Sequence, residues 1–165
     1  MAQITLLGKP LNTFGNLPKV GALAPDFQLV NAKLDDLSLN YFSGKRKILS
    51  IVPSLDTPTC ATSTRILEAT AKNLENTFVL VISSDLPFAQ ARFRGAERIN
   101  NVILLSTFRS NFAKDYGVEL LDGVLRGLTA RAVLVLDQND QVLHSELVSE
   151  LSNEPDYTSA VAALG

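Results

Sequence analysis

The chain has 165 residues, 46% of them hydrophobic, which suits one globular domain over residues 1–165 with a substantial core. Its net charge of -2 and its scattered lysines and arginines argue against nucleic acid as a partner. It lacks the roughly 20-residue apolar run of a membrane span and the pattern of a signal peptide, so we expect no membrane association and a cytoplasmic location.

The N-terminal part of the chain predicts short extended elements. The segment MAQITLLGKPLNTFGN alternates loosely and is interrupted by Gly and Pro, which is typical of a short hairpin followed by a loop. A short strand is expected around Phe27 to Val30. The next segment, RKILSIVPS, is almost continuously apolar, as expected of a strand that is covered on both faces.

Strands and helices then alternate. The apolar residues Ile66, Leu67, Ala71 and Leu74 fall at helical spacing, and this helix follows the buried strand after a loop. The later segments are TFVLVISS (strand), LPFAQARFRGA (helix), NNVILLST (strand), RSNFAKDYGV (helix), ARAVLVLDQNDQVLHSELV (hairpin) and NEPDYTSAVAAL (helix). This order predicts an α/β thioredoxin-like fold, with a mixed sheet flanked by helices and an N-terminal β-hairpin extension.

The single cysteine, Cys60, is the strongest candidate for chemistry. Thr57 is a good N-cap and Pro58 suits the first helical position, which places Cys60 in the first turn of the helix. Unpaired backbone N–H groups and the helix dipole favour an anion there, and therefore a thiolate. The alternative is a buried structural cysteine, but the polar residues before Cys60 argue against it.

The segment PSLDTPTC, Pro53 to Cys60, resembles the active-site motif of the peroxiredoxins. SSDLPFAQARF, GLTARAVLVLD and HSELVSELSNEPDY are similar to one branch, the bacterial thiol peroxidases of the atypical two-cysteine class. The resemblance implies a thioredoxin-like fold that forms homodimers and reduces hydroperoxides, with a preference for organic ones. It also implies thioredoxin or another thiol as the reductant.

The resemblance also implies roles for four residues. Cys60 is then the peroxidatic nucleophile that becomes sulfenic acid, and the Thr57 hydroxyl bonds to the thiolate and the bound peroxide. Arg131 favours the thiolate and stabilises charge as the O–O bond breaks, and Pro53 shields the pocket. Taken alone, Arg131 could be a surface charge, Thr57 only a cap and Pro53 only a strand end.

This chain departs from the branch at Arg94, where its relatives carry a resolving cysteine. An intramolecular disulfide therefore cannot form, and the leading expectation is direct reduction of oxidised Cys60 by an external thiol. Two subunits could instead join through Cys60, or a stalled cycle could serve a redox-sensing or chaperone-like protein.

Other chemistries have weaker support in the sequence. A monothiol disulfide exchanger remains an alternative, although such folds usually carry two cysteines two residues apart. His144 lies on the predicted hairpin and is a poor candidate for a cysteine–histidine dyad. There is no set of metal ligands and no glycine-rich phosphate loop, so we expect no metal and no cofactor.

Overall fold

The computed structural model describes all residues from 1 to 165. Its strands are β1 (Gln3–Leu6), β2 (Lys9–Asn12), β3 (Gln28–Val30), β4 (Asp36–Ser38), β5 (Arg46–Ile51), β6 (Thr77–Ser83), β7 (Val102–Ser106), β8 (Ala132–Leu136) and β9 (Val142–Leu147). Its α-helices are α1 (Pro58–Ala71), α2 (Pro87–Glu97), α3 (Phe112–Asp115) and α4 (Tyr157–Ala162), and Leu39–Phe42 form a 3-10 helix. None of these helices has the length and the apolar composition that a membrane crossing requires.

Seven strands form one mixed sheet in the order β4-β3-β7-β6-β5-β8-β9. The central strands β5, β6 and β7 are parallel and are joined by α1 and α2, whereas β8 and β9 are antiparallel. Both crossovers move in the same direction across the sheet. Because such crossovers are right-handed, α1 and α2 lie on the same face.

The two faces of the sheet are covered by different helices, as the sequence predicts. Leu67 of α1, Phe93 of α2 and Ala160 of α4 share one buried cluster with alternate residues of the central strands. Phe112 of α3 and Phe42 of the 3-10 helix belong to the cluster on the other face. Burial on both sides explains why the central strands read as continuous apolar runs.

The predicted N-terminal hairpin forms from β1 and β2 and lies outside the main sheet. Thr5 fastens it to the segment after β9, because the Thr5 N–H donates to the carbonyl of Ser149 and the Leu151 N–H donates to the carbonyl of Thr5, both at 2.8 Å. The following loop packs on Gly117, where φ is +68° and a Cβ atom would overlap the backbone of Asn16. The hairpin therefore covers the end of the fold where β8 begins.

The helix expected over RSNFAKDYGV is much shorter in the structure. Only Phe112–Asp115 is helical, and Asn111 makes no side-chain cap before it. The chain then turns at Gly117, which adopts a left-handed conformation that ends the helix. Phe112 and Tyr116 stack at 4.3 Å between ring centroids, so tertiary packing rather than helix length holds this segment.

Candidate active site

Cys60 lies in the first turn of α1, in the position that the sequence predicts. Thr57 is the N-cap with extended backbone angles, and Pro58 opens the helix. The Thr57 hydroxyl accepts a hydrogen bond from the backbone N–H of Cys60 at 3.3 Å. The thiol is fully buried, within the cluster between α1 and the sheet. Burial alone would suit a structural cysteine, so its polar neighbours decide the interpretation.

Arg131 is the polar neighbour of the sulfur. It is only 3% exposed, and its Nη1 donates to Sγ of Cys60 at 3.1 Å, while its Nε donates to the carbonyl of Leu151 at 3.0 Å. No carboxylate lies within salt-bridge distance of Arg131. A buried guanidinium needs a counter-charge, and a thiolate on Cys60 is the group in contact with it that can supply one. The structure thus rules out Arg131 as a surface charge.

Thr57 and Pro53 lie beside this pair. The Thr57 hydroxyl donates to the carbonyl of Ser54 at 3.3 Å while it caps the helix, so it bridges the loop and the first turn. Both residues border a cavity of about 180 Å³ that Arg131 also lines. Cys60 does not line this cavity itself, but the two side chains that contact its sulfur and its backbone N–H do.

The cavity combines a polar end with apolar walls. Its lining comprises Leu6, Pro53, Ser54, Thr57, Thr59, Leu125, Leu128, Arg131, Leu151 and Ser152. Leu6 comes from the N-terminal hairpin, and Leu125 and Leu128 come from the loop before β8. A small molecule with a polar head and an apolar body matches such a lining.

Asp85 is a residue of the site region to which the sequence analysis assigns no role. Its carboxylate accepts hydrogen bonds from the Ser54 hydroxyl at 2.7 Å and from the Leu55 N–H at 2.8 Å. It therefore fixes the loop that leads into α1. A signal was present in the sequence, because an acidic residue two positions after a buried parallel strand lies at the same sheet edge as the loop after β5.

His144 is not part of this arrangement. It lies on β9 opposite Val135 and forms no hydrogen bond with Cys60. The structure therefore provides no cysteine–histidine dyad.

Arg94, at the position where the resemblance places a resolving cysteine, makes two hydrogen bonds to the backbone. Its Nη1 donates to the carbonyl of Ile99 at 2.9 Å and its Nη2 to the carbonyl of Val102 at 2.8 Å. On the other side, Glu68 of α1 accepts from three consecutive N–H groups of the same segment, those of Asn100, Asn101 and Val102. Burial opposes ionisation of Glu68, but these hydrogen bonds outweigh it and lower its pKa. Arg94 and Glu68 thus hold the connection between α2 and β7 in place by hydrogen bonds to its carbonyl and N–H groups.

A larger groove of about 680 Å³ separates α1 from α2. Thr57, Pro58 and Ala61 line one side of it, and Phe88 and Phe93 are among the residues on the other. Arg94 does not line this groove and instead borders a different cavity with Tyr41 and Leu104. No contact joins Arg94 to Cys60 in this conformation.

Comparison with known proteins settles the family. A family model described as Redoxin matches residues 19–161. The chain belongs to the redoxin family. Over all 165 residues this redoxin is 50% identical to thiol peroxidases of Mycobacterium bovis and Mycobacterium tuberculosis, of which it covers 99%. The resemblance to the peroxiredoxins stated from the sequence is thereby confirmed.

Solved structures agree with the fold. A peroxiredoxin-like protein from Aquifex aeolicus superposes with a TM-score of 0.93 at 36% identity, over 98% of this chain and 95% of the other. A thiol peroxidase from Chromobacterium violaceum superposes with a TM-score of 0.91 at 27% identity, over 98% and 94%. The predicted thioredoxin-like fold with its N-terminal hairpin is confirmed.

Proposed function

We propose that this redoxin is a thiol-dependent peroxidase in which Cys60 reduces hydroperoxides. The observation that carries the proposal is the buried contact of 3.1 Å between Nη1 of Arg131 and Sγ of Cys60. Cys60 lies in the first turn of α1, and Arg131 has no carboxylate partner. This arrangement favours a thiolate, which is the reactive form of cysteine. Full-length similarity to thiol peroxidases supports the same activity.

The reaction begins with attack of the Cys60 thiolate on the terminal oxygen of the hydroperoxide. The S–O bond forms as the O–O bond breaks, so the sulfur is oxidised to sulfenic acid and the peroxide is reduced. With an organic hydroperoxide the leaving group is an alkoxide, which takes a proton from water and becomes an alcohol. With hydrogen peroxide the leaving group is hydroxide, which becomes water when it is protonated.

Arg131 and Thr57 serve the transition state in this proposal. The guanidinium, already directed at Sγ, stabilises the negative charge that spreads from sulfur to the leaving oxygen. The Thr57 hydroxyl borders the cavity and is positioned to hydrogen-bond the bound peroxide. Pro53 closes one side of the cavity and limits the entry of water, because its ring offers no hydrogen-bond donor.

The cavity supports organic hydroperoxides as substrates in addition to hydrogen peroxide. The leucines that line it come from three separate segments and present apolar surface next to the polar end at Arg131. An alkyl or aryl group gains binding energy there by leaving water, whereas hydrogen peroxide does not. We therefore expect a lower KM for cumene hydroperoxide than for hydrogen peroxide.

An external thiol completes the cycle in this proposal, because the chain has no second cysteine. The thiol attacks the sulfur of the sulfenic acid, which releases water and leaves a mixed disulfide. A second thiol then releases Cys60 and the oxidised reductant. Since Cys60 is fully buried and does not line the cavity, an external thiol, whether small or on a protein such as thioredoxin, requires the first turn of α1 to open before it can reach the sulfur. A cytoplasmic location, where such thiols are kept reduced, forms part of the same proposal.

We also propose a homodimer. Phe88, which lines the groove between α1 and α2, is 69% exposed, and Leu86, the N-cap residue of α2, is 51% exposed. Exposed apolar side chains next to a groove are typical of an interface. Analytical ultracentrifugation tests this, because Phe88→Asp should shift the protein to a monomer.

Intact-mass spectrometry tests the activity. Reduced protein is treated with one equivalent of cumene hydroperoxide and then with a thiol, beside a Cys60→Ser control. We expect one added oxygen that the thiol removes, and no change in the control. A disulfide-linked dimer would place the second step between subunits. No oxidation together with reduction of a glutathione mixed disulfide would instead identify a disulfide exchanger.

A further inference from the structure

The orientation of the Arg131 guanidinium depends on a second contact, in addition to its contact with the sulfur of Cys60. Its Nε donates to the carbonyl of Leu151 while its Nη1 donates to Cys60. A guanidinium is planar and its donors have fixed directions. The location of the Leu151 carbonyl therefore sets the direction in which Nη1 points.

The Leu151 backbone is held by the N-terminal hairpin. Thr5 of β1 exchanges two backbone hydrogen bonds with Ser149 and Leu151, and it pairs in a parallel bridge with Glu150. The same segment reaches α1, because the Thr59 hydroxyl donates to the carbonyl of Ser152 at 3.3 Å. Residues 149–152 thus lie between the hairpin, Arg131 and the helix that carries Cys60.

Glu150 ties these parts together through both of its carboxylate oxygens. Oε1 accepts from the Thr5 hydroxyl and from the Gly8 N–H, each at 3.0 Å, and so holds the hairpin. Oε2 accepts from the N–H and the hydroxyl of Ser152, at 3.0 and 2.7 Å, and so holds the far side of Leu151. Hydrogen bonds from Ser152 and Gly8, with a smaller one from the Thr5 hydroxyl, lower the pKa of Glu150 to about 2 against the opposing effect of burial.

We infer that Glu150 is a positioning residue of the peroxidase reaction. It fixes the segment of Leu151 against the N-terminal hairpin, and the Leu151 carbonyl then directs the Arg131 guanidinium at the sulfur of Cys60. The expected effect on the rate constants rests on the proposed function. The expected effect on the ionisation of the Cys60 thiol can be measured without any turnover of peroxide.

The test compares Glu150→Gln with the wild type. Glutamine keeps the shape but loses the charge and places an NH₂ group against hydrogen-bond donors. We expect the rate constants for hydrogen peroxide and cumene hydroperoxide both to fall about tenfold, because Arg131 is less well directed. We also expect the midpoint of the thiolate titration, followed by alkylation of the single cysteine against pH, to move to higher pH.

Asp137→Asn is the matched control. Asp137 accepts from the N–H groups of Asn139 and Gln141 at the opposite end of β8 from Arg131. The same carboxylate-to-amide change there should leave both readouts as in the wild type. Thr5→Val removes the hydroxyl that bonds Oε1 of Glu150 and lies 3.3 Å from the carbonyl of Ser149, but it keeps the bond from the Gly8 N–H to Glu150. It should therefore give a smaller loss in the same direction, and it serves if Glu150→Gln does not fold.

The inference is overturned if Glu150→Gln lowers thermal stability but leaves both the rate constants and the titration midpoint unchanged, since Glu150 would then be merely structural. Unchanged readouts in Thr5→Val count against it in the same way. A wild-type protein that is not oxidised by peroxide would overturn the proposed function instead. In that case the shift in the thiolate titration would still show whether Glu150 directs the Arg131 guanidinium at the sulfur of Cys60.

Discussion

Arg131 and Cys60 are 71 positions apart in the chain, yet their side chains meet at 3.1 Å. The cause is the antiparallel pairing of β5 with β8, in which Ile51 lies opposite Ala132. The loop that leads to Cys60 leaves the end of β5, and Arg131 immediately precedes β8. Both residues therefore lie at the same edge of the sheet, where a guanidinium can neutralise a thiolate in a buried environment.

Arg131→Lys is expected to lower the rate of peroxide reduction about a hundredfold. A single ammonium cannot reach the Leu151 carbonyl and the Cys60 sulfur with the fixed geometry of a guanidinium. Stopped-flow measurement of single-turnover oxidation would check this. The control is Arg109→Lys, at an exposed arginine that pairs with Asp36, and a comparable loss in that variant would contradict the assigned role.

Thr57→Val should affect both stability and chemistry. Loss of the N-cap hydrogen bond to Cys60 costs about 1 kcal/mol of unfolding free energy. Loss of the hydroxyl that faces the cavity should slow peroxide attack by about a hundredfold. Thr57→Ser, which keeps the hydroxyl, should largely restore both. Urea denaturation and single-turnover kinetics measure the two effects, and a variant that is less stable but equally fast would leave Thr57 only a cap.

Arg94→Met is expected to destabilise the fold by about 1 to 3 kcal/mol, because the carbonyls of Ile99 and Val102 lose their donors. Methionine retains the apolar stem, so packing of that part of the side chain is conserved. The first oxidation of Cys60 should proceed at the wild-type rate. Urea denaturation with single-turnover oxidation separates the effects, and slower oxidation would indicate that Arg94 acts on the active site.

Acid should weaken the fold partly through Glu150. Its pKa is lowered from 4.5 to about 2, so between these values the unfolded chain binds more protons than the folded one. The stabilisation is therefore complete above about pH 4.5 and is lost as pH falls toward 2. Urea midpoints measured across this range should fall less steeply for Glu150→Gln than for the wild type. Equal slopes would mean that Glu150 is not linked to unfolding.

Local sequence information was sufficient for the helix that carries Cys60. Thr57, Pro58 and the apolar spacing after them specify the N-cap, the first turn and the buried face of α1 through interactions between near neighbours. The alternation of strands and helices likewise predicted the parallel centre of the sheet and the final hairpin. The length of α3 was overestimated, because packing of Phe112 and the turn at Gly117 override the local pattern.

What the sequence determined by itself was the position of the single thiol in a helix first turn, the absence of a second cysteine and the family motif around the thiol. Only the tertiary structure decided that Arg131 is buried against that thiol, that Glu150 and the hairpin hold the Leu151 carbonyl, and that Arg94 clamps a distant loop. The reason is physical. Capping and helix spacing act over a few residues, whereas these contacts join segments that become neighbours only when the sheet forms and the hairpin packs on it.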